Sequence, residues 1–427
     1  MKDIDIPEGW EKVELGNYID LVGGFAFKSN DFKKKSPDTI PLIKIGDLQN
    51  GKVSLSDKTS YLPDSYFEDY DGFQLNIGDV LIAMSGATTG KIAVMKGDIK
   101  KALLNQRVGL FKIVKTDKVD SEFFFHYSQS KDFKILIQKN IGQSAQGNIS
   151  PTDIKKIKVL FPPKDYQKLI AKFLSIFDED LEQINLAIKK TIKIKTGFLN
   201  KLLFEGISNK EFKEEKIGLK KYSIPKKWDV NNLASTSTLK GRIGWQGLTR
   251  KEYLKEGDYF LVTGTDFKNG KVDWNSCFYV KKDRYDQDDN IQLQPEDILI
   301  TKDGSIGKVA FVDDVPKPAT LNSGVFVIRP VNKSYYPRFV YWVMHSIFFK
   351  SFMNVVAGST IAHLYQRDFV NFEFPIPPYN EQEEIAEILD TVDNKINLLK
   401  KKKAKLQLVK KGVMNDLLTG RKRIGVD

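Results

Sequence analysis

The sequence contains few residues of the types that build metal sites and disulfides. It has one cysteine, Cys277, and three histidines among 427 residues. A single cysteine excludes an intrachain disulfide and a cluster of thiolate ligands, and it is typical of a reducing compartment. Because His126, His345 and His363 show no metal-ligand spacing, the sequence predicts no metal site.

Long apolar runs are also missing. No stretch of about 18 apolar residues occurs, so no membrane-spanning helix is predicted. The start, Met1–Asp5, leads into no apolar segment of a signal peptide. We therefore expect a cytoplasmic protein. The chain is still 41% hydrophobic and rich in Phe and Tyr, which excludes a chain that is disordered throughout.

The charge balance is basic. There are 67 Lys and Arg residues against 55 Asp and Glu residues, a net charge of +12. This excess favours an anionic partner, and nucleic acid is the most common one. The alternative is a lysine-rich composition without a nucleic-acid partner.

The chain repeats itself once, with an offset of about 215 to 218 residues. The order of the matching segments is kept: Pro7–Trp10 with Pro225–Trp228, Gly78–Ile82 with Glu296–Ile300, Gly90–Val94 with Gly307–Phe311, Leu104-Asn105 with Leu321-Asn322, Pro162-Pro163 with Pro377-Pro378, and Leu202-Leu203 with Leu417-Leu418. Chance similarity would not keep this order. Each half is predicted to be one globular domain followed by one helix.

The globular part of each half is predicted to be α+β with a curved sheet. Short apolar runs alternate with Gly, Asn and Asp turns, as in strands. Asn50-Gly51 and Asn269-Gly270 are hairpin-turn dipeptides at matching places. A helical stretch is predicted near 121–138 in the first half and near 337–356 in the second.

Two long helices are predicted at about 165–204 and 380–418, each after a Pro-Pro pair. Their apolar residues recur with the 4, 3 spacing of a coiled-coil seam. These residues are Ile170, Leu174, Phe177, Leu181, Ile184, Ile188, Phe198 and Leu202 in the first helix, and Ile385, Leu389, Val392, Ile396, Leu399, Leu406, Val413 and Leu417 in the second. Two copies of one seam are expected to pack on each other antiparallel. The alternative is that each helix packs only on its own domain.

Two motifs resemble catalytic ones and lack the residues that the chemistry needs. Gly86–Lys91 has three residues between its glycines and Ile92 after the lysine, whereas a phosphate loop needs four residues and a Ser or Thr. Phe161-Pro162-Pro163 and Ile376-Pro377-Pro378 lack the polar first residue of the amino-methyltransferase motif. No nuclease arrangement of two carboxylates and a lysine is evident. The sequence therefore predicts a non-catalytic chain without a cofactor.

Polar and basic turns remain as candidate DNA contacts. Arg and Lys read guanine edges and Asn and Gln read adenine edges, while Ser, Thr, Lys and glycine-rich turns hold phosphates. The candidates are Phe25, Lys28, Ser85, Thr88, Thr89, Lys91, Asn105, Gln106, Arg107, Gln146 and Asn148 in the first half, and Arg242, Trp245, Gln246, Lys302, Ser305, Lys308, Asn322, His363, Gln366 and Arg367 in the second. The alternative for any one of them is an ordinary solvated loop.

Taken together, these motifs resemble the specificity subunit of type I restriction–modification systems over about residues 6–421. The motifs are Pro-x-x-Trp near each start, Gly-Gly-Phe-Ala-Phe-Lys-Ser, Gly-Asp-Val-Leu-Ile, Ser-Gly-Ala-Thr-Thr-Gly-Lys, Pro-Pro-x3-Gln-x2-Ile at the helix starts and Leu-Leu-x-Gly-type helix ends. Each motif is loose, but their duplicated order is specific.

The resemblance implies two target-recognition domains, 1–163 and 207–378, and two conserved helices, 164–206 and 379–427. It also implies that each domain reads one half of a bipartite double-stranded DNA site and that the paired helices set the spacing. Two modification (methyltransferase) subunits would dock on the helices and carry the methyl donor, and restriction subunits would join the complex. The alternatives are a site-specific methyltransferase or nuclease with duplicated domains, and a protein–protein adaptor.

Overall fold

The computed structural model describes residues 6–97, 99–141, 148–356 and 363–425, without the side chains at 140, 141 and 245. The chain forms two compact units. The first unit contains residues 1–185 and 402–427, and the second contains residues 186–401. Each unit therefore includes part of both long helices.

Strands and short helices alternate in the first half. The strands are β1 (Glu11–Glu14), β2 (Ile19–Gly23), β3 (Thr39–Ile43), β4 (Leu48–Gln49), β5 (Lys52–Val53), β6 (Ser60–Pro63), β7 (Gln74–Leu75), β8 (Val80–Ala83), β9 (Ile92–Val94), β10 (Ala102–Leu104), β11 (Val108–Ile113) and β12 (Lys158–Phe161). The helices are α1 (Tyr66–Asp69), α2 (Ser121–Gln129), α3 (Lys131–Ile141), α4 (Pro151–Lys155) and the long α5 (Lys164–Phe204).

The second half repeats this order after one additional hairpin. Its strands are β13 (Phe212–Ile217), β14 (Lys220–Pro225), β15 (Asp229–Asn232), β16 (Ser237–Gly241), β17 (Tyr259–Val262), β18 (Phe267–Lys268), β19 (Lys271–Val272), β20 (Phe278–Val280), β21 (Ile298–Thr301), β22 (Val309–Phe311), β23 (Ala319–Leu321), β24 (Val325–Pro330) and β25 (Glu373–Ile376). Its helices are α6 (Leu233–Thr236), α7 (Lys282–Tyr285), α8 (Pro337–Val343), α9 (Ile347–Val356), α10 (Gln366–Phe369) and the long α11 (Tyr379–Leu418).

The sheets of the two halves have the same strand order. The six-stranded sheet runs β2-β11-β8-β9-β5-β4 in the first half and β16-β24-β21-β22-β19-β18 in the second. The pair β1-β12 recurs as β15-β25, and β6-β3-β10 recurs as β20-β17-β23. Among the described residues the hairpin β13-β14 has no counterpart, and β7 is matched only by an isolated antiparallel bridge between Gln292 and Thr320. The duplication inferred from the sequence is thus a duplication of fold.

The two predicted hairpin turns are confirmed. Asn50-Gly51 joins β4 to β5 and Asn269-Gly270 joins β18 to β19. All four residues have positive φ, between 51° and 77°, as the type I′ turn requires.

The helical stretch predicted near 121–138 is two helices, α2 and α3. The Oγ of Ser130 accepts a hydrogen bond from the Phe133 amide at 3.1 Å and so starts the second helix. The stretch near 337–356 is likewise divided, into α8 and α9. Among the described residues no single helix is long and apolar enough to cross a membrane, and α8 and α9 reach that composition only together, with a 63° bend between them.

The long helices begin within one residue of their predicted starts and pair antiparallel in each unit. In the first unit, Ile170 and Leu174 of α5 share a buried core with Leu417 and Leu418 of α11. In the second unit, Leu202 and Leu203 of α5 share a core with Ile385 and Leu389 of α11. The predicted α+β fold with an antiparallel helical pair is confirmed.

A lysine lies in the seam of each helix and forms an ion pair with the other helix. In the first unit the Nζ of Lys410 lies 2.6 Å from Asp178 Oδ1, and in the second unit the Nζ of Lys195 lies 2.6 Å from Asp393 Oδ1. The prediction that Phe198 belongs to the seam is wrong, because its side chain is 39% exposed and Leu199 packs on the core instead.

Candidate nucleic-acid interface

Four loops of the first half converge at one end of the six-stranded sheet. The backbone amide of Met84 donates to Arg107 O at 2.9 Å, and Met84 O accepts from the Ile149 amide at 2.8 Å. The Phe25 amide donates to Leu104 O, and Phe25 O accepts from the Gln106 amide, both at 3.0 Å. Backbone bonds therefore bring together the loops that contain residues 24–28, 84–91, 105–107 and 148–149.

Glycine is required where two of these loops meet. A Cβ on Gly24 would lie 2.3 Å from the backbone oxygen of Asn105, so a side chain there would force the loops apart. The next residue, Phe25, is 37% exposed and has ring centroids 4.9 Å from Tyr70 and 5.3 Å from Phe73. The loop thus presents the face of an aromatic cluster beside the 105–107 turn.

Most candidates of the first half are accessible at this end. The exposed ones are Phe25, Lys28, Thr88, Gln106, Arg107 and Asn148, and the half-buried ones are Ser85, Thr89 and Lys91. Thr89 is held within its own turn, since its Oγ1 donates to Gly86 O at 2.6 Å. Asn105 is buried, and Gln146 lies outside the described residues.

Three of the four corresponding loops of the second half are joined by the same backbone bonds. The Lys302 amide donates to Gly324 O at 2.9 Å, and Lys302 O accepts from the Leu364 amide at 2.8 Å. The Gly307 amide donates to Thr301 O, as the Gly90 amide donates to Ala83 O in the first half. The two halves therefore share the frame of these three loops and differ in the side chains that it carries, whereas the loop after β16 bonds to Leu321 O through the Arg242 side chain.

Arg242 is placed differently from what its sequence context suggests. Its side chain is 1% exposed, and its guanidinium donates to Leu321 O at 2.9 Å, Gln287 Oε1 at 2.9 Å and Thr320 Oγ1 at 3.2 Å. Two further contacts go to the backbone oxygens of Gln246 and Arg284. Because its guanidinium bonds to these groups, Arg242 stabilises the position of the loop that follows β16.

Three more candidates of the second half have partners inside the protein. Gln246 is 4% exposed and its Oε1 accepts from the Ile243 amide at 3.2 Å. Asn322 Nδ2 donates to the Tyr253 hydroxyl at 2.8 Å. The ammonium of Lys302 lies 4.7 Å from the Phe326 ring centroid, and burial lowers its pKa. The side chain of Trp245 lies outside the described part of the chain.

The exposed candidates of the second half are Ser305, Lys308, Gln366 and Arg367, with His363 half-exposed. His363 Nδ1 contacts Asp303 Oδ1. The ring of Tyr365, 46% exposed, lies between the imidazole of His363 at 4.7 Å and the guanidinium of Arg367 at 5.1 Å. The sequence prediction missed Tyr365 and Asp303, although an aromatic residue between His and Arg in a loop is the pattern that could have indicated Tyr365.

Metal-ligand clusters and cysteine are two types of group associated with other chemistry. The part of the chain that the structure describes contains no cluster of three or more His, Cys, Asp or Glu side chains able to hold a metal ion. Cys277 is buried and packs in an apolar core, and this burial raises the pKa of its thiol.

Comparison with known proteins gives the family. The family model described as the type I restriction modification DNA specificity domain matches residues 7–193 and again residues 225–408. The chain belongs to this family. The two matches cover the two halves recognised from the sequence, and the resemblance to type I specificity subunits is confirmed in preference to the methyltransferase or nuclease alternative.

Relatives of the same family match along nearly the whole chain. A protein of Methanocaldococcus jannaschii named as the specificity subunit of type I restriction enzyme MjaX is 29% identical, over 98% of this chain and 95% of the relative. The EcoBI specificity subunit of Escherichia coli is 24% identical, over 90% of this chain and 79% of the relative.

The fold also matches solved structures of this family. The S subunit of a type I restriction–modification system from M. genitalium aligns with a TM-score of 0.59 and 17% identity, covering 98% of this chain and 97% of that chain. A chain from a structural study of type I complex assembly and conformational transition aligns with a TM-score of 0.57 and 15% identity, covering 98% of this chain and 100% of that chain.

Proposed function

We propose that this chain reads a bipartite double-stranded DNA site, with one half-site read by each half of the chain, and that it has no catalytic activity of its own. The observation that carries the proposal is the repeated loop frame. The same backbone bonds assemble three of the loops in both halves, while the exposed side chains differ. One frame with two sets of side chains fits two readers of different sequences.

The proposed contacts of the first half combine base reading with phosphate binding. Arg107 and Gln106 are exposed on one turn and have the donors and acceptors that read guanine and adenine edges. Lys28, Thr88 and Lys91 lie on the loops around this turn and are suited to phosphate oxygens.

The proposed contacts of the second half are Ser305, Lys308, His363 and Arg367, together with Tyr365 and the Oε1 of Gln366. The Nε2 of Gln366 donates to Leu239 O at 3.1 Å and is not part of this set. The side chain of Arg367 is 81% exposed, so its guanidinium can reach a base or a phosphate. We leave Asn105, Arg242, Gln246 and Asn322 out of the contact set, because their polar atoms are buried or engaged within the protein.

The rest of the assignment follows from family membership. We propose that residues 1–163 and 207–378 are the target-recognition domains, and that residues 164–206 and 379–427 are the helices on which two methyltransferase subunits dock. Those subunits would bind the methyl donor and modify the DNA, and restriction subunits would complete the complex. The relatives are named as specificity subunits of restriction enzymes, which supports this assignment of DNA reading and DNA modification to different subunits.

The experiment that tests the proposal is methylation mapping. The chain is mixed with genomic DNA and S-adenosylmethionine, with and without a methyltransferase subunit encoded beside it, and methylated positions are sequenced. We expect one bipartite motif with the partner present and none with the chain alone. Methyl transfer or cleavage by the chain alone would favour the methyltransferase or nuclease alternative, and a reconstituted complex that methylates a single continuous motif would refute the two-reader proposal.

A further inference from the structure

One buried glutamine lies at the start of each long helix and holds backbone atoms of the adjoining domain. In the first unit Gln167 is 1% exposed. Its Nε2 donates to Lys118 O at 2.9 Å and to Pro162 O at 2.8 Å, and its Oε1 accepts from the Asp120 amide at 2.9 Å. Since Asp120 is the N-cap of α2, this one amide links α5, α2 and the end of β12.

The second unit repeats the arrangement. Gln382 is 2% exposed, its Nε2 donates to Pro377 O at 2.8 Å, and its Oε1 accepts from the Tyr336 amide at 2.8 Å. Tyr336 is the N-cap of α8, the counterpart of α2. The same side chain thus joins the same elements in both halves, through a proline carbonyl in each and an N-cap amide that belongs to Asp120 in one and to Tyr336 in the other.

A carboxamide is the side chain suited to this position. It accepts at one end and donates at the other, whereas a carboxylate would place a second acceptor against the proline carbonyl and a thioether would make neither bond. Each partner is a backbone atom, so the link does not depend on which side chains the reading domain carries. A domain can therefore change its loops and keep its attachment to the helix.

Apolar packing holds each domain on its helix but leaves its orientation less defined. In the first unit Ile170, Ala171 and Leu174 of α5 pack in the domain core, and such contacts are not directional. The glutamine bonds are directional, since a hydrogen bond weakens steeply when its angle is lost. They restrict rotation of the domain about the first turn of the helix.

We propose that Gln167 and Gln382 are positioning residues that fix the orientation of each reading domain on its long helix and thereby narrow the range of spacer lengths that the chain accepts between its two half-sites. The inference rests on the proposed function. The glutamines touch no DNA, and their effect is on where the reading loops lie.

The test uses the full chain in complex with its methyltransferase partner and a DNA library in which the two half-sites are kept and the spacer varies in length. The variants are Gln167→Met, Gln382→Met and the double variant. The controls are Ile170→Val and Ile385→Val, which alter the buried core three residues further along the same helices and leave the amides in place. Thermal melting of every complex is measured in parallel.

We expect the methionine variants to reduce the preference for the native spacer over spacers one base pair longer or shorter by about tenfold or more, since each variant loses at least two hydrogen bonds to buried backbone atoms and one such bond is on the scale of tenfold. The half-site sequences should not change, and the controls should keep the wild-type preference even where they melt at a lower temperature. If the double variant does not fold, the spacer preferences of the two single variants are compared with those of the controls.

Two results overturn the inference. One is an unchanged spacer preference in folded methionine variants, and the other is an equal loss of preference in the isoleucine controls, which would show that stability alone is responsible. Failure of the wild-type complex to methylate any bipartite site would instead refute the proposed function, so the two outcomes are distinguishable.

Discussion

His126 lies in the buried face of α2, among charged groups of three other segments. It is fully buried, its Nε2 lies 3.1 Å from Ser175 Oγ, and its Nδ1 has no hydrogen-bond partner among the described residues. Asp178 of α5 lies 3.9 Å from Nδ1, Lys410 of α11 and Lys96 after β9 are close by, and Ser175 donates to Glu122. Burial, with smaller repulsion from Lys410 and Lys96, lowers the pKa of the imidazole to about 3, and Asp178 opposes the shift only in part.

This shift predicts a loss of stability in mild acid. In the unfolded chain the imidazole takes up its proton near pH 6.5, whereas in the folded chain it does so only near pH 3. Between these values the unfolded state binds one more proton, so the free energy of unfolding falls as the pH falls, by about 1.4 kcal/mol per pH unit. From pH 6.5, where the unfolded imidazole is half protonated, to pH 5.0 the contribution of His126 amounts to about 1.6 kcal/mol. Burial also lowers the pKa of His345 in the second unit, with the same sign.

The perturbation is His126→Gln, which removes the titrating group and keeps a side chain able to bond to Ser175. The stability of the first unit is followed by urea-dependent hydrogen exchange of the α2 segment, corrected for the intrinsic effect of pH. We expect the wild type to lose about 1.6 kcal/mol more than the variant between pH 6.5 and 5.0. Equal pH dependence of the two proteins would refute the reasoning, because it would mean that the folded chain accommodates the imidazolium.

Three further predictions concern reading and spacing. Arg107→Ala should weaken binding to the first half-site by about 1 to 3 kcal/mol without altering thermal stability. Arg242→Ala should instead lower the free energy of unfolding by more than about 2 kcal/mol, because it leaves buried acceptors unpaired. Titration with DNA measures the first effect and thermal melting measures the second. Exchange of residues 10–160 for the matching domain of a relative should change one half-site only, and methylation mapping that shows both changed would contradict independent readers. Four residues inserted near Thr191 lengthen the helix by about 6 Å and should widen the spacer by one to two base pairs. The insertion should cost some stability, since Lys195 would shift relative to Asp393. An active variant that keeps the original spacer would contradict the idea that the paired helices set the spacing.

The sequence was sufficient for features that depend on local patterns. The long helices follow from a Pro-Pro pair and a seven-residue apolar repeat, and both are visible within one segment. Asn50-Gly51 is predicted to be a hairpin turn because these two residue types adopt the positive φ angles of such a turn readily, and both have positive φ. The division between α2 and α3 was missed because Ser130, a polar residue in an apolar helical run, acts as a cap only through its bond to Phe133.

The candidate interface was harder to predict because it depends on partners far away in the chain. Arg242 follows a strand in a glycine-rich loop, like the exposed basic residues, and only its bonds to Leu321, Thr320 and Gln287 remove it from the surface. Arg107 occupies a similar turn and stays exposed. Arg107 and Arg242 therefore look alike in residue type and local sequence. They differ only because distant segments of the chain bury Arg242.

The division of the first unit between two distant parts of the chain has a consequence for synthesis on the ribosome. The apolar core that holds Ile170 and Leu174 also contains Val413, Leu417 and Leu418, which are translated more than 200 residues later. At about 5 to 20 residues per second, this part of the core stays open for roughly 10 to 50 seconds. The second unit, residues 186–401, is fully translated before the first. The unit whose translation begins first is therefore the last to be completed, and the apolar face of its core stays open during that interval.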